Sequence, residues 1–174
     1  MGFHQRLTDG IVRTSVQTPE GSKYKRINQS EVRSTGLELL ASRALGRTFL
    51  SGDLTLQRVR GYTSEGREVE LEYEPSVAGK ISADLPLLLN LTGTASTRFV
   101  GRQLCQNPEV GGQQSIDGSR YLDLGLRRAF GAEGGGLRRV EASVRLNNAT
   151  DAVVLDQCGL PQPGRTLQLQ LRVW

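Results

Sequence analysis

The residues with the most distinctive side-chain chemistry are two cysteines, Cys105 and Cys158, and a single histidine, His4. An even number of cysteines permits one disulfide without requiring it. A lone histidine excludes a metal site built from several histidines, and no Ser/His/Asp grouping stands out around it. No carboxylate pair has the pattern of a general acid and base, and no glycine motif is of the phosphate-binding kind. The sequence therefore predicts no catalytic residue, no metal site and no cofactor, and we do not expect an enzyme.

The composition limits the possible partners. The chain has 174 residues, of which 37% are hydrophobic and 23% charged, and its formal net charge is +4. This length suits one domain. Lys and Arg are interleaved with Asp and Glu instead of forming the basic patch of a nucleic-acid-binding protein, so we expect no nucleic acid partner. The longest apolar run, near 85–89, is far shorter than the roughly 20 residues that a membrane-spanning helix needs.

Apolar and polar side chains alternate with a period of two along most of the chain. Residues 167–173 show it best, with Leu or Val at every odd position and Gln or Arg between them. In a strand, this alternation places the two sets on opposite faces. The pattern predicts an all-β fold of about eight antiparallel strands, with cores at 3–16, 31–45, 48–61, 71–85, 88–102, 119–130, 137–148 and 165–174.

The connections between these strands alternate in length. Short turns are expected at 46–47, 86–87 and 131–136, and long polar loops at 17–30, 62–70, 103–118 and 149–164. The strands are also longer than the roughly 5–6 residues usual in soluble proteins. Short turns at one end of long strands and long loops at the other are typical of an up-and-down transmembrane β-barrel. The low aromatic content of 5% also argues against a soluble barrel filled by large side chains.

Several segments then follow one another in a recognisable order. They are residues 7–11, Gly36-Leu37-Glu38 after Asn28 and Ser30, residues 73–76, residues 100–102, residues 144–151, and residues 159–165, which read G-L-P-Q-P-G-R. In this order they resemble the barrel strands of TonB-dependent outer-membrane receptors, over nearly the whole chain. The final residue, Trp174, resembles the aromatic terminus that serves as the assembly signal of outer-membrane barrels.

The resemblance implies a fold, a location and a function. Residues 1–174 would be the C-terminal part of a receptor β-barrel, without a plug domain, in the bacterial outer membrane. Because the strand pattern starts almost at once, we expect the chain to be truncated. The implied function is TonB-energised uptake of a scarce nutrient, such as a ferric siderophore or cobalamin. The implied partners are outer-membrane lipid, the barrel assembly machinery, a small nutrient ligand, and TonB acting through the absent plug. No ligand-binding residue is predicted.

The expected topology also bears on the cysteines. If the last strand descends to the periplasm, residues 149–164 form an extracellular loop. Counting back two strands places residues 103–118 on the same side. Cys105 and Cys158 would then lie on neighbouring loops at an oxidising surface, which predicts a disulfide between them.

Charged side chains on the polar side of the strands are expected to face the barrel lumen. They could line a substrate path, or they could form a hydrated wall in which charges pair across strands, and the second interpretation is favoured. These residues are Asp9, Glu38, Asp53, Asp84, Arg98, Asp123, Arg127 and Arg145.

Two other architectures would produce the same alternation. One is a self-contained eight-stranded outer-membrane barrel with a structural or adhesive role, since a closed barrel of about this size is filled by its own side chains. The other is a soluble β-barrel that binds a small apolar ligand. The soluble form would remain in solution without detergent.

Overall fold

A computed structural model describes residues 1–106, 113–131 and 140–173, and its regular structure is β. A 3-10 turn covers Leu88–Asn90. No helix in these residues has the length and hydropathy to cross a membrane. The strands are β1 (Gly2–Thr18), β2 (Gly21–Leu45), β3 (Thr48–Tyr62), β4 (Glu68–Val69), β5 (Val77–Pro86), β6 (Leu91–Val100), β7 (Gln103–Gln106), β8 (Gln113–Ile116), β9 (Ser119–Phe130), β10 (Val140–Asn147), β11 (Leu155–Gln157), β12 (Leu160–Pro161) and β13 (Thr166–Val173).

The long strands form one antiparallel, up-and-down sheet. Its order is β1-β2-β3-β5-β6-β9-β10-β13, so each long strand pairs with the next one along the chain, and β4 is added to β3. Two small hairpins, β7–β8 and β11–β12, lie outside this sheet. Among the described residues no ladder joins β1 to β13, so the sheet is open. The predicted all-β, antiparallel, up-and-down sheet of about eight long strands is confirmed.

The register collects the apolar side chains on one face of this sheet. Leu37 lies opposite Leu56, and Leu124 lies opposite both Ala95 and Leu146. We call this side the apolar face and the other the polar face. In the described residues no second layer covers either face, and many side chains of the apolar face remain exposed, among them Ile81, Leu124, Val144, Leu167, Leu169 and Leu171.

The first hairpin differs from the prediction. Residues 17–30 were expected to form a long loop, but β1 continues to Thr18, and Thr18 pairs with Gly21 across a turn at Pro19-Glu20. A ribbon of two paired strands satisfies its own backbone and can carry polar side chains on both faces. Polar composition is therefore a poor sign of a loop at this place. The position of this turn also sets the register between β1 and β2.

Two strands begin later than predicted. Residue 71 was expected to open a strand, but Tyr73 has a φ of +60°, and β5 begins at Val77. The strand expected from residue 88 begins at Leu91, because Leu89 and Asn90 also have positive φ. The predicted start of the next-to-last strand at 137 lies outside the described residues, and β10 is described from Val140.

The long connections lie at one end of the sheet. Residues 63–76, 101–118 and 148–165 join strands there, and we call this the long-loop end. The predicted tight turn at 46–47 lies at the opposite end, with Gly46 at a φ of +59°. The predicted 131–136 turn falls mostly outside the described residues. The expected alternation of long and short connections therefore holds from β3 to β9, and the 131–136 turn stays a prediction.

Candidate functional site at the long-loop end

A disulfide joins two of the long connections. Cys105 of β7 is bonded to Cys158, which follows β11, and their Cα atoms are 5.8 Å apart. These are the two cysteines for which a disulfide was predicted. The bond closes a loop across a sequence separation of 53, and Cys105 is only 1% exposed. It ties the 101–118 connection to the 148–165 connection beyond the end of the sheet.

The buried apolar side chains of the described residues also belong to these connections. They are Cys105, Ile116 at the end of β8, and Val154 just before β11. Sheet side chains of the same kind stay half-buried or exposed. Among the described side chains, complete hydrophobic burial is therefore found at the long-loop end and not on either face of the large sheet.

Asn148 organises the start of the last long connection. It is 6% exposed and has a φ of +48°, a conformation that Asn tolerates better than most residues. Its Nδ2 donates to the Ala152 carbonyl at 2.8 Å, and its Oδ1 accepts from the Ala152 N–H at 2.9 Å. Its own N–H donates to Asp123 Oδ1 at 2.8 Å. The side chain closes a turn and anchors it to β9.

The end of the same connection is held by Asp151. Its Oδ1 accepts a hydrogen bond from the Arg165 N–H at 2.8 Å. A Cβ added at Gly164 would lie 2.8 Å from the same oxygen, so a side chain there would displace the Asp151 carboxylate. The segments 144–151 and 159–165, which carried the family resemblance separately, therefore contact each other.

The 63–76 connection reaches both the disulfide-linked loops and the sheet. The Tyr73 N–H donates to the Leu104 carbonyl at 2.9 Å. Gln57 Nε2 donates to Glu74 Oε2 at 3.3 Å and to the Pro75 carbonyl at 3.2 Å. Partial burial raises the pKa of the Glu74 carboxyl above its usual range, and the hydrogen bond from Gln57 opposes this rise.

The polar face contains the charged residues that were predicted to share one side. The register assigns seven of the eight to this face. The eighth, Asp9, has a φ of +56° and no register pair in β1, although Thr8 and Gly10 on either side keep the same register with β2. Arg98 Nη1 donates to Tyr121 Oη at 3.0 Å, and Ser51 and Ser82 share a hydrogen bond of 2.8 Å. Cross-strand contacts of this kind are expected if the polar side chains form a hydrated wall.

One charged cluster was missed by the sequence reasoning. Arg6, Arg33 and Arg60 lie directly opposite one another on β1, β2 and β3, on the apolar face. The positions of the two hairpin turns would have been enough to find it. Arg33 and Arg60 are equally far along the chain from the turn at 46–47, so they pair across it. Arg6 and Arg33 are equally far from the turn at 19–20. The second turn was not recognised, so the register was unknown.

No metal-binding group of His, Cys, Asp or Glu is found among the described residues. Trp174, the predicted assembly signal, lies outside them. Comparison with models of known protein families finds no match, and none of the curated proteins is significantly similar to the chain.

Proposed function

We propose that this chain forms part of the wall of an outer-membrane β-barrel of the TonB-dependent receptor type, which takes up a scarce nutrient such as a ferric siderophore or cobalamin. One observation carries the proposal. Most of the apolar side chains of the long strands from β2 to β13 gather on one face of the sheet, with exceptions such as Leu40 and Phe49, and no layer of the described residues covers them. Leu169, for example, is 72% exposed.

A face of this kind is unfavourable in water. Soluble monomers rarely expose a contiguous apolar patch larger than a few hundred Å². Against the hydrocarbon of a bilayer the same side chains are in a favourable solvent, and the polar face would line a hydrated interior. This argues against the soluble-barrel alternative.

The open edges favour a larger barrel over a self-contained one. In lipid, each unpaired backbone N–H or C=O costs several kcal/mol. The outer edges of β1 and β13, the two ends of the sheet, therefore need further strands to pair with. A closed eight-stranded barrel would pair β1 with β13, and the described residues contain no such ladder. We therefore infer that further strands of the same barrel flank this sheet.

The long-loop end supplies the surface for a ligand. The disulfide and the hydrogen bonds of Asn148 and Asp151 hold the connections in fixed positions, which lowers the entropic cost of binding. The transport step would depend on TonB and on a plug domain. The barrel assembly machinery would insert the protein.

Cell fractionation and nutrient uptake test the proposal together. We expect the protein in the detergent-soluble outer-membrane fraction, and we expect a strain that lacks its gene to lose TonB-dependent uptake of one ferric siderophore or of cobalamin. A strain without TonB is the matched control. Recovery of the protein in the soluble fraction would exclude the membrane assignment. Uptake unchanged for the whole panel would exclude the transport function.

A further inference from the structure

An arginine cluster interrupts the apolar face near the long-loop end. Arg6, Arg33 and Arg60 are direct cross-strand neighbours, and Arg58 lies two residues from Arg60 on the same face of β3. We call these four residues the arginine row. Like charges placed directly opposite on neighbouring strands are destabilising, so such a row needs compensation by opposite charge.

The carboxylates within the cluster compensate the row only in part. Glu31 pairs with both Arg6, at 2.8 Å, and Arg33. Glu68 lies 2.8 Å from Arg60 and 3.7 Å from Arg58, and Glu70 lies 2.8 Å from Arg60. Four guanidinium groups thus share three carboxylates.

The row also keeps hydrogen-bonding capacity. Each guanidinium has five N–H donors, more than these contacts engage. Arg60 Nε is buried, so the donors within reach of a ligand are those of the more exposed arginines. The Arg58 side chain is 71% exposed and that of Arg6 is 59% exposed, so both are accessible to a ligand.

The row lies just beyond the apolar part of the same face. Leu56 and Leu37 form the last apolar pair on β3 and β2, and Arg58 and Arg60 follow along β3. At about 3.3 Å per residue, the two arginines lie about 7 and 13 Å beyond Leu56. Arg33 stacks on the Tyr62 ring at 4.7 Å. Aromatic and basic side chains at the edge of an apolar band are typical of the membrane–water interface.

We propose that the arginine row binds the phosphate group of a membrane lipid. Planar guanidinium groups match phosphate oxygens in pairs, and several on one surface can hold one phosphomonoester while its acyl chains lie along the neighbouring leucines. This inference rests on the proposed function, because it requires the apolar face to contact lipid. The ligand is a phosphate carried by a lipid and not a free anion, since only a lipid occupies the apolar face and the row together.

The test uses the full chain in maltoside micelles that contain either dioleoyl phosphatidic acid or dioleoylglycerol, with bound lipid counted by native mass spectrometry. The two lipids differ in the phosphate alone. We expect phosphatidic acid to bind at least about tenfold more tightly. Equal binding of the two lipids would overturn the proposal while leaving the membrane assignment intact. A protein that enters neither kind of micelle would instead contradict the proposed function.

A variant pair identifies the site. Arg6→Gln with Arg58→Gln removes the two most exposed charges of the row, and we expect the preference for phosphatidic acid to fall about tenfold. Arg127→Gln, an exposed arginine of the polar face, is the matched control and should change nothing. An unchanged preference in the double variant would overturn the assignment to this row. Inorganic phosphate at millimolar concentration should not displace the lipid, and full displacement would identify a free-anion site instead.

Discussion

Asp151 Oδ1 accepts a hydrogen bond from the backbone N–H of Arg165 at 2.8 Å, and the bond joins the two ends of the last long connection. Between them lie the β11–β12 hairpin and Cys158. The contact therefore helps to position the disulfide relative to the sheet.

Replacement of Asp151 should loosen this connection. Asp151→Ala removes a charged acceptor, and it also places alanine at a φ of +54°, which aspartate tolerates better. We expect the two effects together to lower the free energy of unfolding by about 1–2 kcal/mol, since the side chain is exposed. Urea unfolding in detergent, followed by circular dichroism, measures it. Asp117→Ala, the same change at an exposed position of the long-loop end, is the control. Equal effects of the two substitutions would show that neither the Arg165 contact nor the backbone conformation at position 151 contributes to stability.

The disulfide should stabilise the protein mainly through the unfolded chain. Closing a loop across a separation of 53 residues contributes about 4 kcal/mol in the chain-entropy model. We expect Cys105→Ser with Cys158→Ser to lower the unfolding free energy by a large part of that amount. Two titratable thiols in the denatured, unreduced protein would contradict the disulfide itself.

Glu74 should make the 63–76 connection sensitive to pH. Because burial raises the pKa of this carboxyl in the folded protein, the folded state binds its proton more tightly than the unfolded state does. Stability should therefore fall as the pH rises through the usual carboxyl range and beyond it. Glu74→Gln should remove this fall, making the variant more stable than the native protein at pH 7 and nearly equal to it at pH 4. A variant that is less stable at pH 7 would show that the hydrogen bond from Gln57 outweighs burial.

Gly79 should tolerate no side chain. A Cβ there would lie 2.6 Å from the Asp53 carbonyl oxygen and 2.6 Å from the Phe99 ring. Since a backbone oxygen cannot move aside as a side chain can, Gly79→Ala should cost about 1–3 kcal/mol. Gly52→Ala, whose nearest neighbour would be 3.4 Å away, is the control in the adjacent strand and should be nearly neutral. Similar melting temperatures for the two variants would contradict this packing.

The alternation of side chains was enough to predict the sheet, because a period of two is a property of the strand itself. Residues 119–130 were predicted as a strand and are β9 with the same bounds. The two-residue turn at 46–47 likewise agrees with the register of Leu45 and Thr48. These features depend on local pattern and on one glycine.

The errors arose where backbone conformation depends on more than local pattern. Nothing in the residue types of Tyr73 or Leu89 indicates a positive φ, since both usually avoid it. The hairpin at Pro19-Glu20 was missed because a paired ribbon and a loop share a polar composition. The bonds from Asn148 to Asp123 and from Arg165 to Asp151 join segments that are distant along the chain. The sequence pattern therefore identified the segments 144–151 and 159–165 but did not indicate that they contact each other.

In the proposed barrel, the apolar face contacts lipid and the polar face contacts water. Spin labels on single cysteines introduced at Leu54 and Leu124 on the first face, and at Thr55 and Ser96 on the second, test it in reconstituted membranes with the native disulfide intact. We predict that oxygen relaxes the first pair more than a water-soluble nickel complex does, and that the order is reversed for the second pair. Greater access of the nickel complex at Leu54 and Leu124 would contradict the assignment of the apolar face to lipid.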